Sequence, residues 1–153
     1  MFTENIHYSP DLEAAIIGAC LLETSAFARI YDIVKKETFY TTENQSIYEA
    51  ITKMFDENIP IDLLTVADFI IKKLNIKEFN GSNVPFTLLK KTNGVTSTAN
   101  IEYYSLCLKQ MWLDREVIRI TQSGMQDGDG FEKLSLLKEQ INKLSVYEFA
   151  YFY

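Results

Sequence analysis

The stretch TANIEYYSLCLKQMWLDREVIRITQSG, residues 98–124, constrains the fold most, because it reads as one long helix that is apolar on two sides. At about 100° per residue, Tyr104, Leu108, Met111, Ile118 and Met125 fall along one side, and Leu106, Leu113, Val117 and Ile120 fall opposite. A surface helix of a single domain needs one apolar stripe; two opposed stripes require two partners. Downstream, GMQDGDGF supplies a turn-rich break, and Leu134, Leu137, Ile141 and Leu144 then form a heptad-like seam on a second helix of about four turns. The C-terminal third is therefore expected to be a helical hairpin. One stripe of the long helix is covered by its hairpin mate, and the other lacks a partner within the hairpin.

The rest of the chain carries helix signals in succession and nothing like a strand ladder. Ser9 before Pro10 gives an N-cap and a first-turn proline, followed by an apolar face of Leu12, Ile16, Ala19 and Leu22 that ends near Glu23. Ser25 is placed to cap a helix with Phe27, Ile30, Tyr31 and Val34. Thr42 is placed to cap another, with Ile47, Ala50, Ile51, Met54 and Phe55 inward and an end at Asn58. Asp62 caps a helix with Leu63, Val66, Phe69 and Ile70 on one side, Thr65 taking part in the capping. After the polar stretch NIKEFNGSN a short helix is expected from about Pro85 to Lys91, and Ser97 or Thr98 starts the long one. The expected fold is all-α: a head of about five helices over residues 1–96, a hairpin over 97–147 in the same domain unit, and an aromatic tail over 148–153. The tail, ending YEFAYFY, either docks in a groove or frays.

Composition narrows the function classes. With 153 residues, 47% of them hydrophobic, the chain can bury a real core and disorder is not expected. No run of 18 apolar residues occurs and Met1–Ile6 does not resemble a signal peptide, so a cytoplasmic protein without membrane contact is expected. The net charge of −6 disfavours direct DNA binding, which relies on cations neutralising phosphates. The pairs Lys35-Lys36, Lys72-Lys73 and Lys90-Lys91 each fall near an expected helix C-terminus, where they suit the helix dipole.

Chemistry is sparse. Cys20 and Cys107 lie in apolar helical patterns and read as buried thiols, and His7 has no partners in sequence for a zinc site or a triad. The segment DGDGFEKLSLLK begins like a calcium loop but has Phe131, Glu132 and Lys138 where Asp or Asn, Gly and Glu are required. Phosphate-loop, dinucleotide, nucleophile-elbow and zinc-protease motifs do not occur. Asp56 with Glu57 reads as a solvated face. No catalytic, cofactor or metal residue is assigned.

Four segments, in order, resemble the N-terminal domain of DnaB-type hexameric replicative helicases. They are Pro10, Glu13 and Ile16-Ile17-Gly18-Ala19-Cys20-Leu21-Leu22; Thr38-Phe39-Tyr40 with Ile47-Tyr48-Glu49-Ala50-Ile51; Pro60 to Ile70; and TSTANIEYYSLCLKQMWLDREVIRI with its Arg115. The likeness spans residues 10–125 and departs from the family pattern at Asn44, Asn58 and Asn80-Gly81. Beside it, each motif has a plain structural reading: Gly18 lets another helix approach closely, and Phe39 and Tyr40 are core residues at a helix entry.

The resemblance implies a helical head plus a hairpin that pairs between subunits, as a dimer or as a trimer of dimers in a full helicase. It also implies docking of the C-terminal domain of a DnaG-type primase, action by helicase loaders, and ATP and Mg only in a motor domain that this chain lacks. The expected function is oligomerisation and partner docking in DNA replication, with no enzyme activity in this chain. Hairpin and interface residues are expected to be Tyr104, Leu108, Met111, Arg115, Ile118, Leu134, Leu137, Ile141 and Leu144. The alternatives are a free-standing adaptor that binds primase or helicase, and a helical DNA-binding protein, against which the charge weighs.

Overall fold

A computed structural model describes residues 7–123 and 129–152, with side chains undescribed at 123 and 145–152. The described fold is all-α apart from one two-residue hairpin: α1 (Pro10–Leu22), α2 (Ala26–Ile30), a 3-10 turn (Lys36–Thr38), α3 (Thr42–Asp56), α4 (Leu63–Lys72), β1 (Glu78–Phe79), β2 (Ser82–Asn83), α5 (Val84–Asn93), α6 (Ile101–Ser123) and α7 (Gly130–Phe152). The chain divides into two compact units, Tyr8–Trp112 and Met1–His7 with Leu113–Tyr153. The first unit is the head. Within it the first turns of α6 bury Ile101, Ser105 and Leu108.

The head is built around α1, which contacts α2, α3, α4 and α5. Ser9 accepts a hydrogen bond from the Leu12 N–H at 3.2 Å, with Pro10 at the helix start, as the sequence predicts. Ile16, Ile17, Ala19, Cys20 and Leu21 are buried on several sides of α1, whereas Leu22, expected on the inner face, is exposed. Gly18 is where α5 crosses: a Cβ there would lie 2.2 Å from the Lys91 carbonyl oxygen and 2.6 Å from Val95 Cγ2. The aromatic part of the core is Phe27, Phe39 and Tyr48, with ring centroids 4.8–5.4 Å apart along the chain of contacts, and the Tyr48 hydroxyl donates to the Val34 carbonyl at 2.9 Å.

Some local readings shift. Thr41, not Thr42, caps α3, accepting from the Asn44 N–H at 3.2 Å. Ser25 precedes α2 without capping it; its hydroxyl donates to Glu23 Oε1 at 2.9 Å. α2 stops at Ile30, so Val34 is buried from outside the helix and Tyr31 is exposed. Asp62 and Thr65 form the reciprocal cap at the start of α4, each side chain accepting from the other's N–H at 2.9 Å.

The polar stretch before α5 closes into β1 and β2 through Asn80-Gly81, both with positive φ, 50° and 86°. Asn58 ends α3 at φ 59°. Asparagine tolerates this left-handed region better than most residues, which is how the turns survive where the family pattern has glycine at two of these places.

Candidate interaction surface

Glu13 is a buried acidic residue of the head. It sits in an apolar helix, fully shielded, and its carboxylate accepts from the Tyr40 N–H at 2.9 Å and from Asn44 Nδ2 at 2.7 Å. These bonds tie α1 to the N-terminus of α3, where a negative charge suits the helix dipole. Phe39 is core as expected, but Tyr40 is exposed and stacks on Tyr8 with centroids 4.4 Å apart. Burial pushes the Cys20 thiol up to about 12, so it stays protonated and unreactive at neutral pH; Cys107 is only half-buried.

Of the basic pairs, Lys72 and Lys91 end their helices as expected, Lys72 also pairing with Asp68 at 3.0 Å. Lys91 also reaches Glu43 at 2.7 Å and Lys36 reaches Glu49 at 3.1 Å from the 3-10 turn, while Lys35 Nζ donates to the carbonyl of Tyr31, the C-cap of α2, at 2.8 Å, so these lysines both cap and pair. Asp56 and Glu57 are exposed, in keeping with a solvated face. Among the described residues no cluster of three His, Cys, Asp or Glu side chains could hold a metal ion, and no helix is long and apolar enough to cross a membrane.

The root of α6 is bonded to α2 and to the C-cap of α1. The Arg29 guanidinium donates from Nε and Nη2 to Glu102 Oε1, at 3.0 and 2.7 Å, and from Nη2 to the Thr98 and Ala99 carbonyls at 3.4 and 3.2 Å. Beside it the Thr98 hydroxyl donates to Glu23, the main reason the Glu23 carboxyl titrates below its ordinary range. Thr98 is therefore spent on Glu23 and α6 begins at Ile101, three residues later than the sequence suggests, with Ser97 Oγ accepting only from the Ala99 N–H at 3.1 Å. Ile101 and Leu108 join the core cluster of the head and half-buried Tyr104 packs against it, while Met111 is half-buried. Part of the first apolar stripe thus belongs to the head, a partner the helical wheel does not reveal.

In the second unit, the far half of α6 continues from Leu113. Ile120 is buried, Leu113 and Arg115 are half-buried, and Val117 and Ile118 are 53% and 37% exposed. His7, without a partner in the sequence reading, lies with Nδ1 3.5 Å from Asp114 Oδ2, and its carbonyl accepts from Arg115. Asp129, from the segment that mimics a calcium loop, instead accepts from the Glu132 N–H at 2.9 Å at the start of α7.

α7 is longer than the four turns expected, 23 residues. The heptad seam divides: Leu137 and Leu144 are half-buried, while Leu134 and Ile141 are 55% and 56% exposed and Phe131, one turn earlier, is 86% exposed. Sequence places Phe131 only in the segment that mimics a calcium loop; its three-residue spacing to Leu134 is the signal that joins it to the seam. Residues 124–128, including Met125 of the first stripe, and the aromatic side chains of the tail lie outside the described residues.

The comparisons agree with this architecture. The model of the DnaB-like helicase N terminal domain family matches residues 5–110. Replicative DNA helicase DnaB of Rhodothermus marinus is 32% identical over 88% of this chain and 14% of its own length. The DnaB of Geobacillus stearothermophilus is 30% identical over 84% of this chain and 28% of its own. The chain thus spans between about a seventh and a quarter of the length of these curated relatives. The crystal structure of the N-terminal domain of DnaB helicase from Mycobacterium tuberculosis superposes with a TM-score of 0.80 over 90% of this chain and 99% of that one, at 23% identity, and so shares the fold. By the extent of the family match, with the helical head and distinct C-terminal helix pair that accompany it, this chain belongs to the DnaB-like helicase N-terminal domain family.

Proposed function

We propose that this chain is an oligomerisation and partner-docking domain of replicative-helicase type, acting in DNA replication, with self-association carried by the helix pair. The observation that supports it most is the line of apolar side chains that α7 leaves in water: Phe131, Leu134 and Ile141, more than half exposed, recur at the three- and seven-residue spacing of a helix-packing seam. Val117 and Ile118 on α6 add to the exposed apolar surface of the same unit. Exposed apolar side chains in such a line support an interaction site, and desolvating them yields roughly 25 cal/mol per Å² before the entropy of association is subtracted. Met111, Arg115, Leu137 and Leu144 flank these positions along the two helices; Tyr104 and Leu108 act as the root that holds α6 on the head.

The relatives named above are replicative DNA helicases, and this reading takes as partners of the assembled domain the C-terminal domain of a DnaG-type primase and a helicase loader, as the family resemblance implies. The net charge of −6 argues against DNA as the direct ligand. The test is solution mass against concentration by analytical ultracentrifugation, alone and with a primase C-terminal domain. Mass rising with concentration, and a further species with primase, are expected. A monomer at every concentration would remove the self-association, and an unchanged mass with primase would remove that partner.

A further inference from the structure

Apolar burial holds α6 on the head without specifying one setting, because hydrophobic contacts are non-directional. The bonds at its root are directional. Arg29 gives two N–H groups to Glu102 in the first turn of α6 and reaches two carbonyls just before it, and Glu23 takes the Thr98 hydroxyl from the other side. All of these come from the end of α1 and from α2, some seventy residues away in sequence. Glu23 is itself held by the Ser25 hydroxyl at 2.9 Å. A planar guanidinium fixed on a carboxylate and two carbonyls permits far less roll and slide than a greasy contact does.

From this geometry we propose that Arg29 and Glu23 are positioning residues for self-association. They hold the root of α6 in one setting, so that the helix enters an assembly preorganised and loses less conformational freedom on binding. The proposal rests on the self-association reading above. Neither residue touches the partner copy in this account; both act through α6.

The test measures the self-association constant of the full chain by sedimentation equilibrium, with far-UV circular dichroism and thermal unfolding alongside. Arg29→Ala is expected to weaken association about fivefold, the scale of lost charge-assisted hydrogen bonds that are partly exposed. Ile51→Val, a core change remote from the α6 root, serves as the stability control and is expected to leave association unchanged. Arg29→Lys, which keeps the charge but not the planar fork that reaches Glu102 and the two carbonyls together, is expected to weaken association less than Arg29→Ala does. Association of Arg29→Ala equal to the native chain, an equal loss in Ile51→Val, or a loss in Arg29→Lys larger than in Arg29→Ala would overturn the proposal. A native chain that stays monomeric overturns the underlying reading instead, and that result is seen before any variant is made.

Discussion

The head and the helix pair are both helical and both rich in Leu and Ile, yet they use these residues in opposite ways. In the head, α1 buries seven of its 13 residues. In α7, by contrast, none of the described side chains from Gly130 to Leu144 is fully buried, although the segment carries Leu134, Leu136, Leu137 and Ile141. The difference is one of neighbours. α1 is enclosed by four helices of its own chain, whereas the α7 line Phe131, Leu134 and Ile141 faces solvent. An apolar residue therefore stabilises the head by folding, and in the helix pair it is available to stabilise an assembly.

This contrast can be broken most forcefully at Gly18. A methyl group there would meet the Lys91 carbonyl at 2.2 Å, far inside contact distance, so α5 must move away from α1. Gly18→Ala is expected to cost the head about 3 kcal/mol, the upper part of the range for overpacking, measured by urea denaturation. A stability equal to the native chain would show that the α1–α5 crossing is loose.

Next in size is the reverse experiment on the helix pair. Ile141→Glu on α7, or Ile118→Glu on α6, is expected to weaken self-association about tenfold while leaving thermal unfolding of the head unchanged, because each charge enters an apolar contact only in the assembly. Loss of helicity in either variant would mean that these side chains are internal packing, and the contrast between the units would fail at that position.

The smallest effect sharpens the comparison at the α6 root. The Thr98 and Ser25 hydroxyls, then Arg29, hold the Glu23 carboxyl below its ordinary range. A carboxyl lowered by folding contributes stability above its unfolded value, and that contribution is lost as pH falls through the folded value. Thr98→Val is therefore expected to raise the Glu23 titration midpoint toward the ordinary carboxylate value, read from its side-chain carbonyl shift by NMR. A midpoint that does not move would show that the Thr98 hydroxyl does not hold Glu23.

Several features of the head were legible in the residues alone. Ser9-Pro10 and Asp62 with Thr65 act through chain neighbours three or fewer residues away, so sequence displays both partners of each bond. Gly18 and Phe39 also behave as their plain structural readings expect. Thr98 shows where this legibility stops. It has the chemistry of an N-cap, but Glu23 takes its hydroxyl, and nothing local announces an acceptor 75 residues away. Leu22 looks like core because its periodicity is right, and Tyr40 because it stands with Phe39 at a helix entry; only the packing shows that Leu22 is exposed and that Tyr40 stacks on Tyr8 at the surface. The two-residue strands of β1 and β2 are too short to leave an alternating pattern.

The interaction surface divides along the same line. That the long helix has two apolar sides is a property of spacing, and 3.6 residues per turn turns spacing into faces without reference to any partner. Which residues of those faces are covered is a property of distant elements. Leu108 lies in the core of the head, Ile120 is buried in the second unit, and Val117 and Ile118 remain exposed. Sequence determined the helices, their caps and their apolar sides, because these follow from bonds and angles within a few residues. Tertiary structure alone decided that Glu13 is buried, that Arg29 grips the root of α6, and which apolar residues stay in water, because each depends on groups brought together across tens of residues by the folded chain.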